Sequence, residues 1–171
     1  MRKVFVFVAA LVAVAALAGT AMAAKPDRLV IPIDDTFIDD VTCADELIVS
    51  VQGTLTVMVR FNKAGDVVAE SQHPNIRITA INPTTGLTVT DRDVGLDKLT
   101  VNEDGTATIL STGIHSQIKG PDGKIVFRQK GLAVITLDAN FNVISEEVHG
   151  NFDPEDAFAP AACAALGTGP A

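Results

Sequence analysis

One stretch of this chain constrains the fold more than any other. From Leu47 to Phe61 the apolar residues Leu47, Val49, Val51, Leu55, Val57, Val59 and Phe61 occupy odd positions. Ser50, Gln52, Thr54, Thr56 and Arg60 occupy even ones, with Ile48 and Met58 as exceptions. Period-two alternation is the pattern of a strand with one face buried and the other wet. At about 3.3 Å per residue the stretch would span roughly 50 Å. That is too long for one flat strand, so a sharp bend or bulge is predicted at Gly53.

Turn signals then recur at regular intervals. Asn62-Lys63-Ala64-Gly65-Asp66, Asn82-Pro83-Thr84-Thr85-Gly86, Glu103-Asp104-Gly105, Gly120-Pro121-Asp122-Gly123 and residues 138–142 each separate two β-forming runs. Each offers a Gly, Asn or Asp able to reach positive φ between strand formers, which predicts consecutive hairpins and an antiparallel meander. Residues 106–119 change phase: Ala107 and Ile109 are odd, Ile114 and Ile118 even. A bulge near Ser111-Thr112-Gly113 would restore the register. From Ile125 the odd face is again apolar through Phe127, Ala133, Ile135 and Leu137, with Gln129 and Gly131 on the same side.

The expected fold is therefore all-β. It is an antiparallel meander closed or nearly closed into a small barrel of about eight strands, with a short C-terminal helix ending before Gly167. A β-sandwich is the alternative, but its strands are usually shorter, and this chain has no Trp for the core of an antibody-type domain. Closure would also remove exposed sheet edges.

Residues 1–23 read as an export signal. Arg2 and Lys3 precede an uncharged run of 15 residues, and Ala21-Met22-Ala23 is a small-x-small cleavage triplet. The run falls short of the ~20 residues a membrane span needs. Cleavage after Ala23 would leave residues 24–171 as one barrel domain with its C-terminal tail tied back by a disulfide. It removes two of 13 basic residues and none of 21 acidic ones, taking the formal net charge from −8 to −10. The expected location is secreted, extracellular or in the cell-envelope space. In that compartment an even pair of cysteines, Cys43 and Cys163, is most simply a disulfide. Two cysteines without paired histidines do not make a zinc site, and neither has the neighbours of a reactive thiol.

The order of Cys43, Asn82-Pro83-Thr84-Thr85-Gly86, Asp104-Gly105, Ser111-Thr112-Gly113 and Cys163-Ala164-Ala165-Leu166 resembles a group of small secreted bacterial proteins. These carry a signal peptide, an N-x-x-T-G turn and a C-A-x-L ending. The chain departs from them at Leu87-Thr88, where a Lys or Arg is expected after the turn glycine. The resemblance implies the same fold and disulfide, and it implies no reaction.

Chemistry is sparse. An acidic chain without a basic face or stacking aromatics is not a nucleic-acid reader, and no stable membrane insertion is expected after cleavage. His73, His115 and His149 form no metal-binding or catalytic motif, and no cofactor cradle is present. Asp91, Asp93, Glu146 and Glu147 are candidate carboxylates, although Glu146 and Glu147 would point to opposite faces of a strand. The acidic segment 34–46 lacks the spacing of a calcium loop and reads as solvated. No catalytic, cofactor-binding or metal-binding residue is assigned.

A weak internal similarity aligns residues 61–75 with 137–151, matching Val67 with Val143, Glu70 with Glu146 and His73 with His149. It fits either a duplicated half-barrel or two hairpins with one turn type. Gln129, Ser71, His73 and His149 are the candidate polar groups of an otherwise apolar pocket, Ser71 and His73 by sharing the register of Val67 and Ala69. The leading expectation is a non-enzymatic binding protein for an apolar small molecule or another secreted or surface protein. A cyclase- or isomerase-type barrel enzyme and an envelope-associated structural domain with a filled core are the alternatives.

Overall fold

The computed structural model describes residues 27–151 and 157–171, and the expected export signal at residues 1–23 lies outside them. Eight strands follow one another: β1 (Asp27–Asp39), β2 (Leu47–Phe61), β3 (Val67–Ile81), β4 (Thr88–Asp93), β5 (Leu96–Val101), β6 (Ala107–Lys119), β7 (Ile125–Leu137) and β8 (Val143–Asn151). One helix, α1 (Phe158–Ala165), ends the chain before Gly167. All pairings are antiparallel and the order is a meander, β1-β2-β3-β4-β6-β7-β8. β5 shares the lane of β4: β4 pairs the second half of β3, and β5 pairs the first half. The break between them is Val94-Gly95. The sheet is barrel-like with a partly closed ring. β1 pairs along its whole length with β2 and β8 pairs with β7, so among the described residues both are edge strands. The expectation that closure removes the edges is corrected here.

Alternation in the sequence becomes one buried face. Leu47, Val49, Val57 and Val59 of β2 are buried with Val89, Ala107, Ile118, Phe127, Ala133 and Leu137 from three other strands. Two apolar layers result. At one end, α1 lays Ala162, Cys163 and Leu166 against Leu47, Val49, Val89, Ile118 and Phe127. There the rings of Phe127 and Phe158 meet edge-on, 5.6 Å between centroids, a preferred aromatic geometry. The helix is anchored by the Cys43–Cys163 disulfide, whose Cα atoms are 5.6 Å apart across 120 residues of sequence. Both cysteines are buried.

A second clamp joins the N-x-x-T-G turn to the C-A-x-L ending. Asn82 is completely buried. Its side-chain amide donates to Asp45 Oδ2 (2.9 Å) and to the Leu166 carbonyl (3.2 Å). Its Oδ1 accepts the Thr84 amide (2.8 Å), while the Thr85 hydroxyl also donates to the Leu166 carbonyl (2.8 Å). The N-x-x-T-G turn is thus the receptor for the C-A-x-L ending. A buried amide must find partners or cost free energy, and here those partners come from both ends of the chain.

Two devices bring backbones close together. Gly53 has φ 147°, and a Cβ added there would fall 2.1 Å from the Asn75 carbonyl oxygen. No bulge forms at this glycine: the β1–β2 and β2–β3 registers both run through Gly53 without a shift. The second device is a glycine line: Gly113, Gly131 and Gly150 are in direct cross-strand register. A Cβ on Gly113 would lie 2.9 Å from Gly95 Cα, and one on Gly150 would lie 2.8 Å from Gly131 Cα. Backbones approach so closely along this line that side chains are excluded.

Four hairpins share one turn. The amide and carbonyl pairs Asn62/Asp66, Asn102/Thr106, Gly120/Lys124 and Asp138/Asn142 close each turn at 2.8–2.9 Å. Its fourth residue has positive φ in each case: Gly65, Gly105, Gly123 and Phe141. The similarity between residues 61–75 and 137–151 follows from this shared turn. In both hairpins a bulge also follows at the same place, with Val68 the extra residue after Val67 and Ile144 the extra residue after Val143.

Candidate functional site: a polar belt on the core face

Between its two apolar layers the core face carries a belt of polar residues. Register places Gln72, Asp97 and Ser111 side by side on β3, β5 and β6. Asp93 is opposite Ile76, and Asp91 opposite Ile78. Ser116 is opposite Gln129 of β7. These side chains are half-buried, except Ser116, which is buried. Further along β3, Glu70 is buried and accepts a bond from Gln72 Nε2 (2.9 Å).

Two local irregularities assemble the belt. The chain breaks at Val94-Gly95, and His115 is the extra residue of a bulge between Ile114 and Ser116. The imidazole packs on the glycine: a Cβ at Gly95 would lie 2.6 Å from His115 Cε1. Gly95 donates its amide to Asp93 Oδ1 (3.1 Å). Ser111 Oγ donates to Asp97 Oδ1 (2.5 Å) and lies 3.2 Å from His115 Nε2. A serine hydroxyl has one proton, so Nε2 must be the donor in the second bond. The arrangement is a relay of hydrogen bonds ending on Asp97. It is not an activated nucleophile, because the serine proton points away from the imidazole.

Burial pushes the Asp93 carboxyl above its ordinary value; the Gly95 amide and His115 pull it down, while Asp97 and Asp91 add to the rise. Asp91 has a different task. Its Oδ1 accepts from Ser116 Oγ (2.9 Å), the Gln117 amide (2.7 Å) and the Arg92 amide (2.7 Å). β4 and β6 share only the Thr90–Lys119 pair, and Asp91 joins them where the ladder is missing.

The residues expected to line a pocket are not brought together. Gln129 lies on the core face in this belt. Ser71 and His73 stand opposite Met58 and Thr56 on the outer face. His149 stands opposite Leu132, also outside, and is exposed with its Nε2 2.8 Å from Glu147 Oε1. The physical reason is the pair of bulges. Val67 and Val143 are in core-face register, but one extra residue then reverses the parity of β3 and of β8. The true core-face residues of β3 are Glu70 and Gln72. His115 was legible only as a lone strand histidine; the phase change around Ser111-Thr112-Gly113 was the signal that it sits at a bulge.

The acidic segment 34–46 is also rearranged. Asp34, Asp35 and Asp39 belong to strand β1, Asp39 accepts the Val41 and Thr42 amides, and Asp45 holds Asn82. Among the described residues no group of three or more His, Cys, Asp or Glu is placed to hold a metal ion, and no helix is long and apolar enough to cross a membrane. Two surface grooves of about 420 Å³ are open to solvent, one around Gly53 and one around Gly120. Neither lines the polar belt. No protein-family model, curated protein or solved structure matches the chain.

Proposed function

We propose that this is an exported, non-enzymatic binding protein whose ligand is the surface of another secreted or surface-bound protein, met along edge strand β1. The observation that carries the reading is the character of that edge. β1 is 13 residues long and exposed almost throughout. Leu29 (50% exposed), Val30 (48%), Phe37 (46%) and Ile38 (66%) present apolar side chains on both faces. A long edge with unpaired backbone groups and apolar side chains is a template for adding a strand.

Charge selects the partner. β1 carries Asp27, Asp34, Asp35 and Asp39 against Arg28 alone. A second copy would place like charges together, whereas a basic extended segment would be attracted. The export signal and an oxidised cysteine pair support an extracytoplasmic setting. An apolar small molecule is the second reading, supported by the half-buried belt beside apolar core-face residues.

The test is a calorimetric titration with an extended peptide of alternating Lys and Val. Binding should weaken with salt and drop ~10-fold or more when Val30→Pro removes a donor from the free edge, the side on which Pro32 lacks its N–H and Thr36 gives its amide to Asp35 Oδ1. A serine–valine peptide should bind weakly. Failure of the basic peptide to bind, or binding indifferent to the proline, overturns the reading.

A further inference from the structure

The outer face carries a feature that the protein-binding reading does not use. Arg77 of β3 and Arg92 of β4 are direct cross-strand partners. Like charges placed directly opposite on antiparallel strands repel. Both guanidinium side chains are exposed. Among the described residues neither forms an ion pair, although the chain holds 21 acidic residues. The neighbouring acids are turned elsewhere. Asp91 and Asp93 of β4 stand on the core face opposite Ile78 and Ile76. Asp34 is engaged by Gln52 Nε2 at 3.1 Å.

The two arginines line an open groove of about 420 Å³ together with Gln52, Gly53, Asn75 and Ile76. Gly53 is part of this lining, with φ 147°. A Cβ there would collide with the Asn75 carbonyl at 2.1 Å and with Ile76 Cα at 2.9 Å, so this position of the lining carries no side chain. Asn75 is exposed and adds a neutral amide donor beside the pair.

We propose that this groove binds a dianionic oxyanion of the phosphate or sulfate class, with Arg77 and Arg92 as its paired ligands. A guanidinium offers parallel N–H donors that match such oxygens, and two of them balance two negative charges. The anion converts cross-strand repulsion into a bridge between β3 and β4.

The experiment is thermal unfolding of the full mature protein in chloride, inorganic phosphate or glycerol 3-phosphate at one ionic strength. Phosphate at ten times its Kd should raise the wild-type Tm by about 3–6 °C, since it binds the folded state alone. R77Q and R92Q should each lose most of that rise, and the double variant all of it. R60Q, a charge change elsewhere on the outer face, should keep it. In chloride alone R92Q should melt no lower than wild type, because its loss relieves repulsion. Equal shifts with both anions assign a free oxyanion; a larger shift with the ester assigns an esterified one. No rise in the wild type, or the same rise in the double variant, overturns the proposal.

Discussion

At the scale of single residues, the belt shows how one carboxylate can be held at the expense of stability. Asp93 has a folded pKa above its ordinary value, with burial the main cause. For an acid shifted upward the sign is definite. Its contribution to stability is most favourable below the unfolded pKa of about 4 and is lost as pH rises through the raised folded value. Asp93→Asn removes the charge and keeps an oxygen for the Gly95 amide. The variant should therefore melt above wild type at pH 7, with the gap closing by pH 3. Thermal melts across that range check it. A variant that melts lower than wild type at pH 7 would show that the attraction to His115 outweighs the cost of burial.

At the scale of elements, one turn geometry repeated four times accounts for much of the meander. Three copies place Gly at the positive-φ position, and the β7–β8 turn places Phe141 there with φ 63°. A residue with a Cβ is disfavoured in that conformation by about 1–2 kcal/mol, partly offset by the greater unfolded-state freedom of glycine. Phe141 is also 52% exposed, so little packing is lost with its ring. Phe141→Gly should stabilise the protein by about 0.5–1 kcal/mol, read as a higher urea midpoint with an unchanged slope. A lower midpoint would mean that the ring packs in a way its exposure does not suggest. The same turn explains why the two hairpins resemble each other without invoking duplication.

At the scale of the whole molecule, the disulfide and the Asn82 clamp hold α1 over one end of the core face. The Cys43–Cys163 bridge spans 120 residues. Chain-entropy reasoning gives such a loop about 4–5 kcal/mol of stabilisation, through restriction of the unfolded chain. Urea unfolding of the oxidised protein, against protein reduced and alkylated, should show a loss of that order. A loss below about 1 kcal/mol would place the stabilisation in the hydrogen bonds of Asn82 and Thr85 to Leu166 instead. The two edges are the other whole-molecule feature. On β8, Val143 and Ile144 are each 59% exposed, so both ends of the meander leave apolar side chains in solvent.

Local patterns alone determined most of the secondary structure. Alternation in residues 47–61 identifies the buried face of β2, and the turn residues mark where each hairpin reverses, because side-chain parity and positive φ are properties of a few consecutive residues. The interruption of the apolar face at Gly53 and the pairing of Cys43 with Cys163 were legible for similar reasons: one is a missing Cβ, the other a count of two. Parity beyond a bulge was not legible. A single extra residue turned His73 and His149 outward and Glu70 and Gln72 inward, and sequence does not mark which residue is doubled. The belt and the arginine pair needed tertiary structure as well. Arg77 meets Arg92 through the register of the β3–β4 hairpin, and Asp93 meets His115 where β4 gives way to β5 beside the β6 bulge. That arrangement, and the incomplete closure leaving β1 and β8 as edges, depends on contacts between distant segments that no local pattern encodes.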